Sequence, residues 1–158
     1  MSGIGQPLPA PGGRATWREF AAAAPRLAER IRERFAANRH HVLGTLRPSG
    51  APRLSGTEVV IGDDQVVIGM MPGSRKLHDV RRDPRVELHS APLEEDLAAG
   101  DAKLAGVLVP HEAEGTESVP GSYFRLDITI ATLVRVEGDE LVLTTWGAEH
   151  GVRTIRRR

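Results

Sequence analysis

Turn signals cut residues 40–146 into short β-like runs, and that punctuation leaves few folds open. Pro48-Ser49-Gly50, Gly62-Asp63-Asp64, Pro72-Gly73, Asp83-Pro84 and Gly138-Asp139 each interrupt an apolar or alternating stretch. Gly tolerates positive φ, Pro fixes φ, and Asp bonds its own backbone, so such clusters reverse the chain. The runs between them are His40–Arg47, residues 52–61, Gln65–Met71, Arg85–His89, Ala102–Val109, Ser122–Val136 and Glu140–Trp146. Short, evenly spaced strands joined by hairpins predict a mainly β chain, a closed or half-closed barrel of about six to seven antiparallel strands. The run 122–136 is long enough to hold a bulge.

Helical patterning is confined to two places. Thr16 reads as an N-cap, and Trp17, Phe20, Leu27, Ile31 and Phe35 recur at helical spacing, with Arg and Glu opposite. Pro25 inside this stretch predicts a split, with the proline in the first turn of a second helix. A short helix is expected from Ser74 to Arg82, stopped by Asp83-Pro84. Residues 1–15 are rich in Gly and Pro and are expected to be a disordered tail. Residues 16–158 then form a single domain with an N-terminal helix, a size that suits one core. Residues 90–100 read as an acidic loop or helical turn, residues 110–121 as a loop, and the stretch from Gly147 onward as a tail.

Composition removes several classes of function. No cysteine is present, which excludes disulfides, thiolate catalysis and thiolate metal sites and suits a reducing, cytoplasmic setting. A formal net charge of zero argues against a dedicated nucleic-acid binder. No apolar run reaches the roughly 20 residues of a membrane span, and no secretory signal pattern opens the chain. Ser55, Ser74 and the histidines form no nucleophile motif. His40 and His41 point to opposite faces of a strand, and no His, Asp or Glu set has metal-ligand spacing, so no metal site is expected. His78 reads as a surface residue, Glu94-Glu95-Asp96 as a solvated turn, and Arg156-Arg157-Arg158 as a solvated end. Aromatic residues are 4% of the chain, so Trp17, Phe20, Phe35, Tyr123, Phe124 and Trp146 each carry more weight.

The start of the 74–82 helix is electrostatically unusual. A helix N-terminus carries partial positive charge and favours Asp or Glu, yet Arg75 and Lys76 occupy the first turn. An anion there would reverse the sign of the effect, drawing free N–H groups, the Ser74 hydroxyl and both cations onto one phosphate. Gly73 would permit close backbone approach. A plain solvated helix start accounts for the same residues, and local sequence leaves both readings open. Arg81 and Arg82 lie at the helix C-terminus, where cations are favoured without a ligand.

Gly73-Ser74-Arg75-Lys76, Leu77-His78-Asp79-Val80 and Arg81-Arg82-Asp83-Pro84-Arg85-Val86 together resemble the central motif of the pyridoxamine 5'-phosphate oxidase-like family, the FMN-binding split barrel. Leu43–Pro52 resembles that family's first hairpin and Leu141–Gly147 its last strand, so the likeness covers roughly residues 35–155. The resemblance implies a split β-barrel, a homodimer with flavin at the subunit interface, and oxidoreductase activity on a small molecule. It implies that Ser74, Arg75 and Lys76 hold the phosphate, and that Gly69 and Met70 run beside the ribityl chain and ring. Arg53, Leu54 and Ser55 would contact the phosphate and the ring edge, and Trp146 and Arg153 would reach the cofactor from the partner subunit. Because the flavin carries the redox chemistry, no catalytic side chain is named. The tail Gly151–Arg158 lacks the Arg-x-His pair of oxidases acting on pyridoxamine phosphate, so a different substrate is implied. Relatives that bind coenzyme F420 or haem, and a flavin-binding module without turnover, are the alternatives.

Overall fold

The computed structural model describes residues 13–92, 97–112 and 122–158. Helices α1 (Trp17–Ala23) and α2 (Pro25–Ala36) precede strands β1 (His40–Leu46), β2 (Pro52–Ile61) and β3 (Val66–Gly69). Helix α3 (Arg75–Arg82) follows, then β4 (Arg85–His89), β5 (Asp101–Pro110), β6 (Tyr123–Glu137), β7 (Glu140–Gly147) and β8 (Gly151–Arg157). The strands pair antiparallel in the order β3-β2-β1-β4-β5-β6-β7-β8, and β3 also pairs with β6. That extra pairing closes six strands into a barrel and leaves β7 and β8 as an extension beyond the closure.

Each boundary has a local cause. Thr16 accepts from the Glu19 backbone N–H at 3.2 Å while its own N–H donates to the Glu19 carboxylate at 3.0 Å, a complete capping box. Pro25 sits at the start of α2, where a missing N–H costs nothing. The pairing of β5 with β6 shifts register between Ala105 and Gly106, which face Ile130 and Ile128. Thr129 is thus the extra residue of a bulge, and its Oγ1 donates to the Ala105 carbonyl at 3.1 Å.

Alternation places Leu43, Ile68, Leu88, Leu104, Leu126 and Ile128 inside the barrel, all fully buried. The apolar stripe of α1 and α2 packs on β5 and β6, with Trp17, Phe20 and Ile31 buried. Phe20 meets Trp17 edge-on at 5.3 Å between centroids and Trp146 at 5.0 Å. Arg32 donates to the carbonyls of Ile61 and Gly62, and Arg34 to those of Ala91 and Gly100, tying the helices to the ends of the strands they cover.

The stretch after Gly147, expected to be a tail, is strand β8, paired residue for residue with β7 from Gly151 opposite Gly147 to Arg157 opposite Leu141. Gly151 has φ +69°, a turn conformation open to glycine. The arginine-rich composition hid this strand, because an exposed edge needs no apolar alternation. Arg156 is not merely solvated either, since it bridges Glu137 and Glu140 at 2.8 and 3.1 Å. Of the tail expected to be disordered, residues 1–12 lie outside the described residues, and Ala15 is buried and bridges Ile128. The Glu94-Glu95-Asp96 cluster and most of the 110–121 loop also lie outside them. No helix among the described residues is long and apolar enough to cross a membrane.

Candidate functional site

Gly73 has φ +77°, and the turn it makes lets Ser74 cap α3, its Oγ accepting from the Leu77 N–H at 3.4 Å. The two cations of the first turn then part company. Lys76 folds back over β2 and donates from Nζ to the Gly56 carbonyl at 2.8 Å. Arg75 is exposed and forms no hydrogen bond or ion pair among the described residues. Lys76 is half-buried, and burial lowers its pKa below the ordinary lysine value. It donates to a carbonyl and forms no ion pair among the described residues.

Lys76 lines a cavity of about 520 Å³ on the outer face of β2 and β3. The strand period fixes its walls. Gly56, Glu58 and Val60 alternate outward from β2, as do Val67 and Gly69 from β3. Met70, Met71 and Tyr123 complete the apolar part. At the rim, Glu58 accepts from Arg39 at 3.0 Å and lies 3.4 Å from Nε2 of His40. Leu54, Val60 and Met71 are 76, 66 and 78% exposed on this side of the molecule.

Beneath α3 lies a second polar group. Asp79 is buried, accepting from Arg53 Nε at 2.7 Å, Thr45 Oγ1 at 2.8 Å and Arg82 at 3.3 Å. Burial raises its pKa, but the three donors outweigh that and hold it below the ordinary carboxylate value.

The structure gathers only part of the expected site. Gly69, Met70 and Lys76 share the cavity wall, with Ser74 two residues from Lys76 at the helix cap. Arg53, Leu54 and Ser55 do not act as one surface. Arg53 and Ser55 share a face with buried Thr57, whereas Leu54 points to the opposite, exposed face. Trp146 lies on β7, beyond the barrel closure, with its side chain turned inward. It is 5% exposed and packed on Phe20, the position of a core residue. Arg153 is exposed on β8, outside the barrel. His40 and His41 do face oppositely: His40 is exposed, whereas His41 is buried with Nε2 at 2.9 Å from both Phe35 and Asn38 carbonyls. His78 is exposed, and no metal-binding cluster exists among the described residues. Sequence reading missed Tyr123, Glu58 and Asp79 as parts of this region. Tyr123 is the one tyrosine of the chain, which was the available signal. Glu58 joins the region through strand pairing and Asp79 through docking of α3 on β1 and β2.

Comparison with known proteins agrees with this architecture. The family model for pyridoxamine 5'-phosphate oxidase matches residues 27–139. No curated protein matches the chain. Among solved structures, the fold is similar to PhzG from Burkholderia lata 383, determined in complex with tetrahydrophenazine-1-carboxylic acid. The two share 11% identity over 89% of this chain and 92% of that one, with a TM-score of 0.63. A pyridoxamine 5'-phosphate oxidase-related, FMN-binding protein from Nostoc punctiforme PCC 73102 is 14% identical over 88% of this chain and 96% of that one, TM-score 0.57. A heme-binding protein from Mycobacterium smegmatis is 18% identical over 78% of this chain and 58% of that one, TM-score 0.63. At these identities the likeness is one of fold.

Proposed function

This chain belongs to the pyridoxamine 5'-phosphate oxidase family, and from that premise we propose that it is a flavin-dependent oxidoreductase that holds FMN in the cavity beside α3. The observation that carries this reading is Lys76, a half-buried cation that forms no ion pair among the described residues, at a glycine-primed helix start, lining a cavity of about 520 Å³. Ligand sites typically run from about 300 to 1,000 Å³, mostly apolar with a few converging polar groups, and the residues present fit a phosphate joined to a flat ring.

Ser74, Lys76 and the first N–H groups of α3 would hold the phosphate, with Arg75 turning in from solvent. Gly69 and Met70 would border the ribityl chain and ring. When bound, the flavin supplies hydride and electron transfer to or from a small-molecule substrate. The protein binds it, orients it and excludes water from one side. Exposed Leu54, Val60 and Met71 around the cavity favour a homodimer in which a second copy covers this face, with Arg153 free to reach across. The balanced charge and absent cysteines favour a cytoplasmic protein that takes a small molecule rather than nucleic acid or membrane.

A visible spectrum of the purified protein tests the cofactor. Bound flavin gives bands at about 375 and 450 nm, whereas F420 absorbs at roughly 420 nm. A colourless protein that takes up neither on titration overturns the reading. Cofactor-dependent oxidation of a reduced donor by a panel of quinones and aldehydes separates an enzyme from a passive carrier. One feature favours a second reading: His40 is exposed and lines the cavity, where its imidazole would be the group to hold a haem iron. A Soret band on haem addition that is lost in His40→Ala would establish that alternative.

A further inference from the structure

We infer that Tyr123 is the stacking platform for the cofactor's ring, an inference that rests on the FMN reading above. Tyr123 opens β6 and pairs with Gly69 at the seam that closes the barrel. Its neighbours hold it there on both sides: the Met70 N–H donates to the Ser122 carbonyl at 2.8 Å and the His111 N–H to the Tyr123 carbonyl at 3.0 Å. Phe124 points into the barrel and Tyr123 outward, so the phenol ring lies over the outer face of β3.

That ring occupies the space a side chain at position 69 would need. A Cβ on Gly69 would sit 2.9 Å from Tyr123 Cε1 and 3.3 Å from Cδ1. Glycine at 69 therefore serves the aromatic ring, which replaces the missing side chain as the cavity wall. Tyr123 also lines the cavity, where Val60, Val67, Met70 and Met71 are among the apolar lining and Lys76 forms the cationic end. A ligand anchored by its phosphate at Lys76 extends its flat ring toward the apolar end. Among the lining residues, Tyr123 is the one with a benzenoid ring to stack against it.

The chain offers a clean readout. Tyr123 is its single tyrosine, and Trp17 and Trp146 are both buried away from the cavity lining. A stacked phenol quenches flavin emission by passing an electron to the excited ring, which a phenyl ring does not do. The full-length wild type and Tyr123→Phe are titrated with FMN, following absorbance for affinity and emission for stacking. The expected result is quenched emission in the wild type, recovered several-fold in Tyr123→Phe at an affinity within roughly three-fold, because the phenyl ring still stacks. Tyr123→Ala should weaken binding by roughly three- to ten-fold. Equal emission from wild type and Tyr123→Phe, with FMN bound to both, overturns the platform and leaves the cofactor site standing. Failure of the wild type to bind FMN at all overturns both.

Discussion

Nε of Arg53 donates to Oδ2 of Asp79 at 2.7 Å, and it does so in a place where Asp79 is 1% exposed. This pair joins α3, which begins at the Gly73-Ser74 turn, to β2, which carries the cavity wall, with Thr45 of β1 as a third member. Removing one partner of a buried ion pair leaves the other charge uncompensated, at a cost of about 3 to 5 kcal/mol. Asp79→Ala should lose stability on that scale in denaturant unfolding. A loss under about 1 kcal/mol, the range of solvated surface pairs, would show that Arg53 recovers its hydration.

The same carboxylate predicts acid sensitivity. Its pKa in the folded chain lies below the ordinary Asp value because Arg53, Thr45 and Arg82 donors outweigh burial. A depressed acid contributes stability that is complete above its unfolded pKa, about 3.9, and is lost as pH falls through the lower folded value. The unfolding midpoint should therefore drop steeply below about pH 4, and Asp79→Asn should flatten that limb. An unaltered limb in the variant would assign acid unfolding to other groups.

His41 makes a separate prediction at milder pH. Burial lowers its pKa, and its ring is already committed: Nδ1 accepts from the Ala91 N–H at 3.0 Å while Nε2 donates toward Phe35 and Asn38 carbonyls. Protonation would place an N–H against the Ala91 N–H. A histidine whose folded pKa is depressed stabilises fully above its unfolded pKa of about 6.5, and that contribution is lost as pH falls through the folded value. Stability should decline as pH falls below about 6.5, and His41→Asn should remove most of that slope.

Much of this was legible in the sequence, for identifiable reasons. Thr16, Pro25 and Asp83-Pro84 are local signals that act over one helical turn, and the helices begin and end where they indicate. Strand β4 matches the run Arg85–His89 because alternation and turn residues agree there. Strand β8 was invisible because its stability comes from pairing with β7 rather than from apolar pattern. The motif residues Ser74 and Lys76 are contiguous in sequence and remain close in space. Asp79 with Arg53, and Tyr123 with Gly69, meet only through strand pairing and helix docking, which no local pattern encodes. Trp146 packs on Phe20, and a strand-end tryptophan looks the same in sequence whether it faces a ligand or the core.

The turn before α3 can be tested without touching any charge. Gly73 has φ +77° and nothing lies within 4 Å of where its Cβ would be, so the cost of a side chain is conformational alone. Gly73→Ala should destabilise by about 1 to 2 kcal/mol, and it should weaken FMN binding by disturbing the cap that Ser74 provides. Unchanged stability would mean that the turn relaxes to negative φ, and crystallography of the variant would show it.

Lys76 and Arg75 should prove unequal. Lys76 is half-buried, oriented by the Gly56 carbonyl and already partly desolvated, whereas Arg75 is exposed and must be ordered on binding. A charge-assisted hydrogen bond contributes about 1.5 to 3 kcal/mol, roughly ten- to 150-fold in affinity. Lys76→Met should lose FMN affinity in that range, and Arg75→Ala should lose less. The comparison needs riboflavin, which has the same ring without the phosphate. If Lys76 acts on the phosphate, riboflavin should bind wild type and Lys76→Met alike, and FMN should lose its advantage only in the variant. An equal loss for both ligands would mean that Lys76 shapes the ring pocket instead, and unchanged FMN affinity would place the phosphate away from α3.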